Sequence, residues 1–186
     1  SSPEVAPENI LACLDQGVPV VSGTTGWNDR FREIEQYCKN KGGTLFYASN
    51  FSIGVNVLFA LNEKLAGIMD RFPQYAVIMK EVHHVHKVDA PSGTAITLAE
   101  QIIREHSRLK GWHSGHEPKE GSLPIESVRE GEVKGHHSIR YESDVDVLTL
   151  GHDAKSRDAF AAGAILAAEF IRGKKGVFGM KELLKL

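Results

Sequence analysis

The sequence is poor in cysteine. Its 186 residues hold two, Cys13 and Cys38, and neither belongs to a Cys-x-x-Cys pair. That excludes a disulfide framework, and both read as buried or half-buried free thiols in a reducing compartment. No apolar run approaches the ~20 residues of a membrane span. The opening residues, Ser1-Ser2-Pro3-Glu4, offer neither a basic nor an apolar stretch, so they do not read as a secretory signal. A cytoplasmic protein with no membrane partner is expected. Charge of neither sign dominates: the net value is −2. No overall field therefore favours nucleic acid or an acidic lipid surface. Internal repeats and low-complexity tracts are also lacking.

What is present is ordinary for a folded chain, with 41% hydrophobic and 25% charged residues. The length suits one large domain or two small ones, with about 70% of the unfolded chain's surface buried on folding. Nine histidines are the compositional oddity, and several of them cluster. Pro7, Ile10, Leu11 and Leu14, followed by Gly17, predict a short amphipathic helix with a glycine stop. Residues 18–22 are an apolar run of strand length, and Gly23-Thr24-Thr25-Gly26 is a glycine-bounded loop. Asn28 or Asp29 is placed to cap a helix through Phe31, Ile34 and Tyr37 that stops at Gly42-Gly43. Residues 44–48 form the next strand. This order is that of a parallel, doubly wound α/β sheet.

From Val55 the character changes to a long helix with a broad apolar face, through Met69. Residues 75–82 read as a strand, 92–105 as a helix, and 107–124, rich in glycine, proline and charge, as a loop. Residues 125–129, 137–142 and 145–150 read as further strands. The expectation is a mixed sheet of about four strands. Residues 156–172 predict a last long helix ended by Gly173. Residues 1–52 with 156–186 are thus expected to form one α/β domain, and 53–155 an α+β domain between them.

The chemistry concentrates in Glu81-Val82-His83-His84-Val85-His86-Lys87-Val88-Asp89-Ala90-Pro91-Ser92-Gly93-Thr94-Ala95. The run leaves the end of a strand and enters a helix. A helix N-terminus presents unpaired N–H groups and a partial positive charge. Gly93 admits close approach to the backbone, and Lys87 and a histidine add positive charge. Such a set suits a carboxylate or phosphate, with a histidine beside it as general acid near neutral pH. Three histidines within four residues also raise zinc. However, His83 and His84 would point to opposite faces of a strand, and no cysteine or well-spaced carboxylate completes a tetrahedral set, so no metal is expected. The bland alternative is a solvated loop in which Asp89-Ala90-Pro91-Ser92 is only a turn and an N-cap.

This run resembles the signature E-x-H-H-x-x-K-x-D-A-P-S-G-T-A of the dihydrodipicolinate (4-hydroxy-tetrahydrodipicolinate) reductases, matching every fixed position from Glu81 to Ala95. Three further segments resemble the family in the same order. They are Gly23-Thr24-Thr25-Gly26 after a strand, Ala48-Ser49-Asn50-Phe51-Ser52 followed by Gly54-Val55-Asn56, and Lys155-Ser156-Arg157 before the last long helix.

The resemblance covers essentially the whole chain. It implies a partial Rossmann-type sheet with an α+β substrate and oligomerisation domain. It also implies a homotetramer, and NADH- or NADPH-dependent reduction of 4-hydroxy-tetrahydrodipicolinate to tetrahydrodipicolinate in lysine and diaminopimelate biosynthesis. By the same resemblance His83 is the proton donor and Lys87 its partner on a substrate carboxylate. His84, Gly93 and Thr94 touch the cyclic dicarboxylate. Gly23, Thr24, Thr25, Ala48, Ser49, Asn50 and Phe51 line the nicotinamide end of the cofactor.

The family's opening strand and G-x-G-x-x-G loop, which grips the cofactor pyrophosphate, has no counterpart among these residues. The sequence is therefore expected to begin inside the cofactor domain, on the order of 60 residues in. Two other readings stand beside this one. The first is a catalytically inactive fragment serving as an oligomerising, substrate-binding module, which cofactor titration distinguishes. The second is another two-domain dehydrogenase of aspartate-derived intermediates, which a substrate screen distinguishes.

Overall fold

Strand β2 (Thr44–Tyr47) shows in two residues how its part of the chain is built. Leu45 and Phe46 are both fully buried, and they enter different apolar clusters. Successive side chains on a strand point to opposite faces, so this sheet is covered on both, as a parallel doubly wound sheet requires. The computed structural model describes residues 1–186 as two compact units, Ser1–Asn56 with Asp158–Leu186, and Val57–Arg157.

In the first unit, β1 (Val20–Ser22), β2 and β8 (Gly176–Phe178) form a parallel sheet in the order β1-β2-β8. On one face, Ala6, Ile10 and Leu14 of α1 (Ala6–Asp15) pack with Ile34 and Cys38 of α2 (Phe31–Asn40), Trp27 and Leu45. On the other, Phe46, Ala48 and Phe51 pack with Ala167 of α5 (Asp158–Phe170), Ile171 and Met180, the first residue of α6 (Met180–Leu184). Gly163 of α5 lies so close to Phe51 that a Cβ there would collide with the Phe51 carbonyl.

One reading is corrected here, and one strand is added. Neither Asn28 nor Asp29 caps α2: they begin a 3₁₀ turn (Asn28–Arg30), and α2 starts after Arg30 without a side-chain cap. Asn28 Oδ1 instead accepts a 2.9 Å hydrogen bond from the Tyr47 hydroxyl. Strand β8 adds a member to the sheet that its three residues, flanked by lysines and glycine, do not signal.

In the second unit the sheet has five strands, not four, in the order β4-β5-β3-β6-β7. Strands β4 (Gly111–Ser114), β5 (Ser122–Arg129) and β3 (Ala76–His83) run parallel. Strands β6 (His136–Glu142) and β7 (Val147–Asp153) continue the sheet antiparallel. The extra strand β4 falls in the segment read as a loop. Its four residues carry no apolar alternation and become a strand by pairing with β5.

One face of this sheet is covered by α3 (Ile53–Met69), from Val57 onward, and by α4 (Gly93–Glu105). Ala95, Leu98, Ala99 and Ile102 recur at helical spacing on the buried side of α4. They meet Val77 and Met79 of β3, Leu123 and Ile125 of β5, and Ile139 and Tyr141 of β6. Buried Asn62 of α3 donates to the Leu98 carbonyl and to Gln101 Oε1, both at 3.0 Å, tying the two helices together.

Candidate active site

The inward positions of β3 are Val77, Met79, Glu81 and His83. Two apolar residues thus give way, on the same face, to a carboxylate and an imidazole. Glu81 is 0% exposed and His83 7%. Strand register then brings Ser127 of β5 and His137 of β6 to either side of Glu81.

Two groups fix the Glu81 carboxylate. The Ser92 amide donates to both oxygens at 3.1 Å, and Arg129 Nη2 donates to Oε1 at 3.1 Å. His83 Nδ1 lies 3.4 Å and His137 Nε2 3.7 Å from Oε2. Burial pushes the Glu81 carboxyl up. The hydroxyls of Ser92 and Ser127, the Ser92 amide and Arg129 outweigh it, and hold the group below the usual carboxylate range. Burial lowers His83, with Lys87 and Arg129 adding to the fall and Glu81 and Asp89 opposing it. Burial, with His83 next in effect, pushes His137 down to about 4.

The turn after β3 carries Lys87, whose Nζ is 2.6 Å from Asp89 Oδ1. Arg129 pins this turn from β5 by donating to the carbonyls of Lys87, at 3.3 Å, and Asp89, at 2.5 Å. Ser92 then caps α4, its hydroxyl accepting from the Ala95 amide at 3.3 Å and meeting His137 Nε2 at 3.1 Å. Beyond its chain neighbours and the helix's own backbone, nothing lies within 4 Å of where a Gly93 Cβ would stand, so the helix start is open above Gly93. Thr94 and His84 are half-buried beside this stretch.

Glu81, His83 and His137 offer three ligand atoms within 4.8 Å of one another, so the structure supplies the carboxylate that spacing alone does not. That carboxylate already accepts two amide contacts and a guanidinium, and the Arg129 cation faces it. The chemistry of the cluster is that of a hydrogen-bonded acid network rather than of a cation site. Ser127, Arg129 and His137 are the members that sequence reasoning missed. A histidine at an inward position of an alternating strand was the available signal for His137.

The remaining site residues lie in the first unit. The Gly23-Thr24-Thr25 loop leaves the C-terminal end of β1, and Ala48-Ser49-Asn50-Phe51 leaves that of β2. The two are adjacent parallel strands, and the loops meet: a Cβ on Gly23 would come within 2.9 Å of the Phe51 ring. Carboxyl ends of adjacent parallel strands are where open α/β sheets take ligands. The exposed Gly23 backbone, next to a ring and the small Ala48, fits a flat group such as a nicotinamide. Asn50 turns its Oδ1 to the Ser52 amide at 2.9 Å, and its carbonyl accepts from Asn56 at 2.8 Å, so it shapes the loop. The Thr24 hydroxyl reaches the Ser1 carbonyl at 3.4 Å, while Thr25 and Ser49 are exposed. No helix is long and apolar enough to cross a membrane.

Comparison with known proteins gives one consistent result. Residues 1–51 match the sequence family described as dihydrodipicolinate reductase, N-terminus, and residues 54–184 the one described as dihydrodipicolinate reductase, C-terminus. The 4-hydroxy-tetrahydrodipicolinate reductase of Christiangramia forsetii is 49% identical over 184 residues, covering 99% of this chain and 77% of that protein. The enzyme of the same name from Neisseria meningitidis serogroup B is 35% identical over 191 residues, covering 99% of this chain and 70% of that protein. Among solved structures, a dipicolinate-bound dihydrodipicolinate reductase from Paenisporosarcina sp. TG-14 superposes with a TM-score of 0.74 at 27% identity. That match covers 96% of this chain and 69% of the other.

Proposed function

The chain belongs to the dihydrodipicolinate reductase family and is an oxidoreductase of lysine and diaminopimelate biosynthesis, reducing 4-hydroxy-tetrahydrodipicolinate; we propose that His83 supplies the proton of that reduction and that Lys87 and the start of α4 hold a substrate carboxylate. The relatives are reductases, so the reading of a non-catalytic module finds no support in them. NADH or NADPH, when bound, supplies the hydride. Gly23, Thr24, Thr25, Ala48, Ser49, Asn50 and Phe51 are the residues we assign to its nicotinamide end.

The reduced ring must also gain a proton at carbon. Burial lowers the proton affinity of His83, which makes its imidazolium a stronger acid, and the neighbouring Glu81 carboxylate opposes that fall. The dicarboxylate is oriented by charge and by backbone. Lys87 exchanges its Asp89 partner for a substrate carboxylate, and the amides of Gly93 and Thr94, at the open helix start, donate to the same group. His84 and the Thr94 hydroxyl line this side. A ligand of the dipicolinate kind, bound in the Paenisporosarcina enzyme, fits this set of donors. We further assign the five-stranded sheet to a homotetramer and the enzyme to the cytoplasm, a setting that suits its two free cysteines.

The observation that carries the reading is convergence on Glu81. The His83 ring and the Ser92 amide both meet its carboxylate, so the acid and the anion-binding helix start are anchored at one point. His83→Ala should lower kcat by about 10²–10⁴-fold with the fold intact. Lys87→Ala should raise KM as well, because a carboxylate loses its counter-charge. An His83→Ala enzyme within about threefold of the parent, far below that range, overturns the assignment.

A further inference from the structure

Glu81 neither touches the substrate nor transfers a proton in the reduction as assigned above, yet it occupies the centre of the site. Its position in β3 is an inward one, continuing Val77 and Met79, where an apolar residue would satisfy the packing pattern. A carboxylate buried there is costly unless it is paired and hydrogen-bonded. The pairing is lopsided. Arg129 takes Oε1 and the Ser92 amide straddles both oxygens, which leaves the Oε2 side facing the two imidazoles.

The His83 ring is equally lopsided. Nδ1 is buried and makes no hydrogen bond, and the Glu81 carboxylate faces it with Oε2 3.4 Å away. Nε2 lies toward Gly135, where a Cβ would stand 3.3 Å away and where φ is +153°.

We propose that Glu81 is a positioning residue for His83: its carboxylate, fixed by Arg129 and Ser92, keeps Nδ1–H turned inward, so that Nε2 is the nitrogen that passes the proton to the substrate. This rests on the reading of His83 as the proton donor. The imidazolium carries a hydrogen on each nitrogen. Nε2 gives up its proton as the new C–H bond forms, Nδ1–H stays on Glu81, and water returns a proton to Nε2. The charge on Glu81 favours the imidazolium before the transfer, and Arg129 balances that charge after it. The other groups facing His83 are Lys87 and Asp89 from the turn and His137 from β6. Of these, Lys87 opposes protonation and Asp89 favours it. Gly135 spares Nε2 the side-chain atom that any other residue would place 3.3 Å from it.

Nitrogen-15 spectra of the histidine rings in the unmodified chain test the idea without a variant. Neutral His83 should be the Nδ1–H tautomer, and an Nε2–H tautomer overturns the proposal. Glu81→Gln is nearly isosteric and removes the charge. His83 should then titrate about one pH unit lower or more. The alkaline fall of kcat should move down by the same amount. kcat itself should drop about tenfold or more while KM stays within about threefold, as expected for a group acting only in the transition state. An unchanged His83 titration and kcat profile in a folded Glu81→Gln enzyme also overturns it. If Glu81→Gln does not fold, the tautomer measurement decides. The two readings fail separately. An active His83→Ala enzyme removes the proton donor whatever the tautomer, whereas an inactive His83→Ala enzyme with an Nε2–H tautomer removes only the role of Glu81.

Discussion

The Ser92 amide donates to both carboxylate oxygens of Glu81, 3.1 Å to each, across eleven residues of chain. That contact joins the end of β3 to the first turn of α4. The same serine caps α4 with its hydroxyl and meets His137 with it. It is therefore a structural hub whose backbone and side chain are already engaged, and the free donors for a ligand are those of the two residues that follow it. A helix held in this way at its first turn does not need to reorganise when an anion arrives, which is the condition for electrostatic preorganisation.

Arg129→Leu should cost stability out of proportion to its partly exposed position. The guanidinium is hydrogen-bonded to a carboxylate with 0% side-chain exposure, while Arg129 itself is 20% exposed. Removing one partner of a buried pair costs on the order of 3–5 kcal/mol, because the other charge stays buried and uncompensated. Residual water access puts the expected loss at the lower end. Urea midpoints measure it. A loss under about 1 kcal/mol, the size of a surface pair, would mean that Glu81 does not depend on Arg129.

Acid should weaken the fold well above the usual carboxylate range. His137 is held neutral, at about 4 against 6.5 for the free imidazole. Its contribution is present in full above 6.5 and is lost as pH falls from 6.5 toward 4, because the unfolded chain binds a proton there that the folded chain refuses. A difference of that size amounts to about 3 kcal/mol. Glu81, whose folded value is depressed, acts in the same direction at lower pH: its contribution is present above the unfolded carboxylate value and lost as pH falls through the folded one. His137→Gln should flatten the slope between pH 6.5 and 4. An equal slope in parent and variant, by chemical denaturation at several pH values, counts against it.

Gly163→Ala should destabilise the protein although alanine is the better helix former. Intrinsic propensity favours the substitution by about 1 kcal/mol. Against it, the new methyl would run into the Phe51 carbonyl, a backbone atom on a loop assigned to the cofactor. Overpacking costs about 1–3 kcal/mol when side chains can adjust, and a carbonyl adjusts less. A lower melting temperature is expected, and a raised one would show that α5 and the Phe51 loop separate easily.

The tetramer assigned to the five-stranded sheet has a direct test at its edge. Strand β7 is paired only with β6, and Val147 and Leu148 on it are 46% and 43% exposed. An apolar edge strand invites pairing with another chain. Leu148→Lys should shift the sedimentation profile toward smaller species. A profile matching that of the parent protein would move the interface away from β7.

Some of this architecture could be read directly from the residue order. The apolar spacing of Ala95, Leu98, Ala99 and Ile102 specifies a helix with one buried face, because residues three and four apart share a side. Buried Leu45 and Phe46 in succession mark a strand covered on both faces. The run from Glu81 to Ala95 carries its strand end, turn and N-cap within fifteen consecutive positions. Local periodicity and local hydrogen bonding are properties of neighbours, so they survive in a one-dimensional reading.

What depended on register did not. Strand β4 is a strand because β5 supplies its hydrogen bonds, and β8 because β2 does. Arg129 lies 48 residues from Glu81, and His137 lies 45 from Ser92. Only the pairing of β3 with β5 on one side and β6 on the other sets them around one carboxylate. The sequence by itself determined the long helices, the buried strands and the run to which we assign the acid and the anion site. The tertiary structure alone decided which distant charges surround that acid, because sheet register brings together residues with no local interaction to announce them.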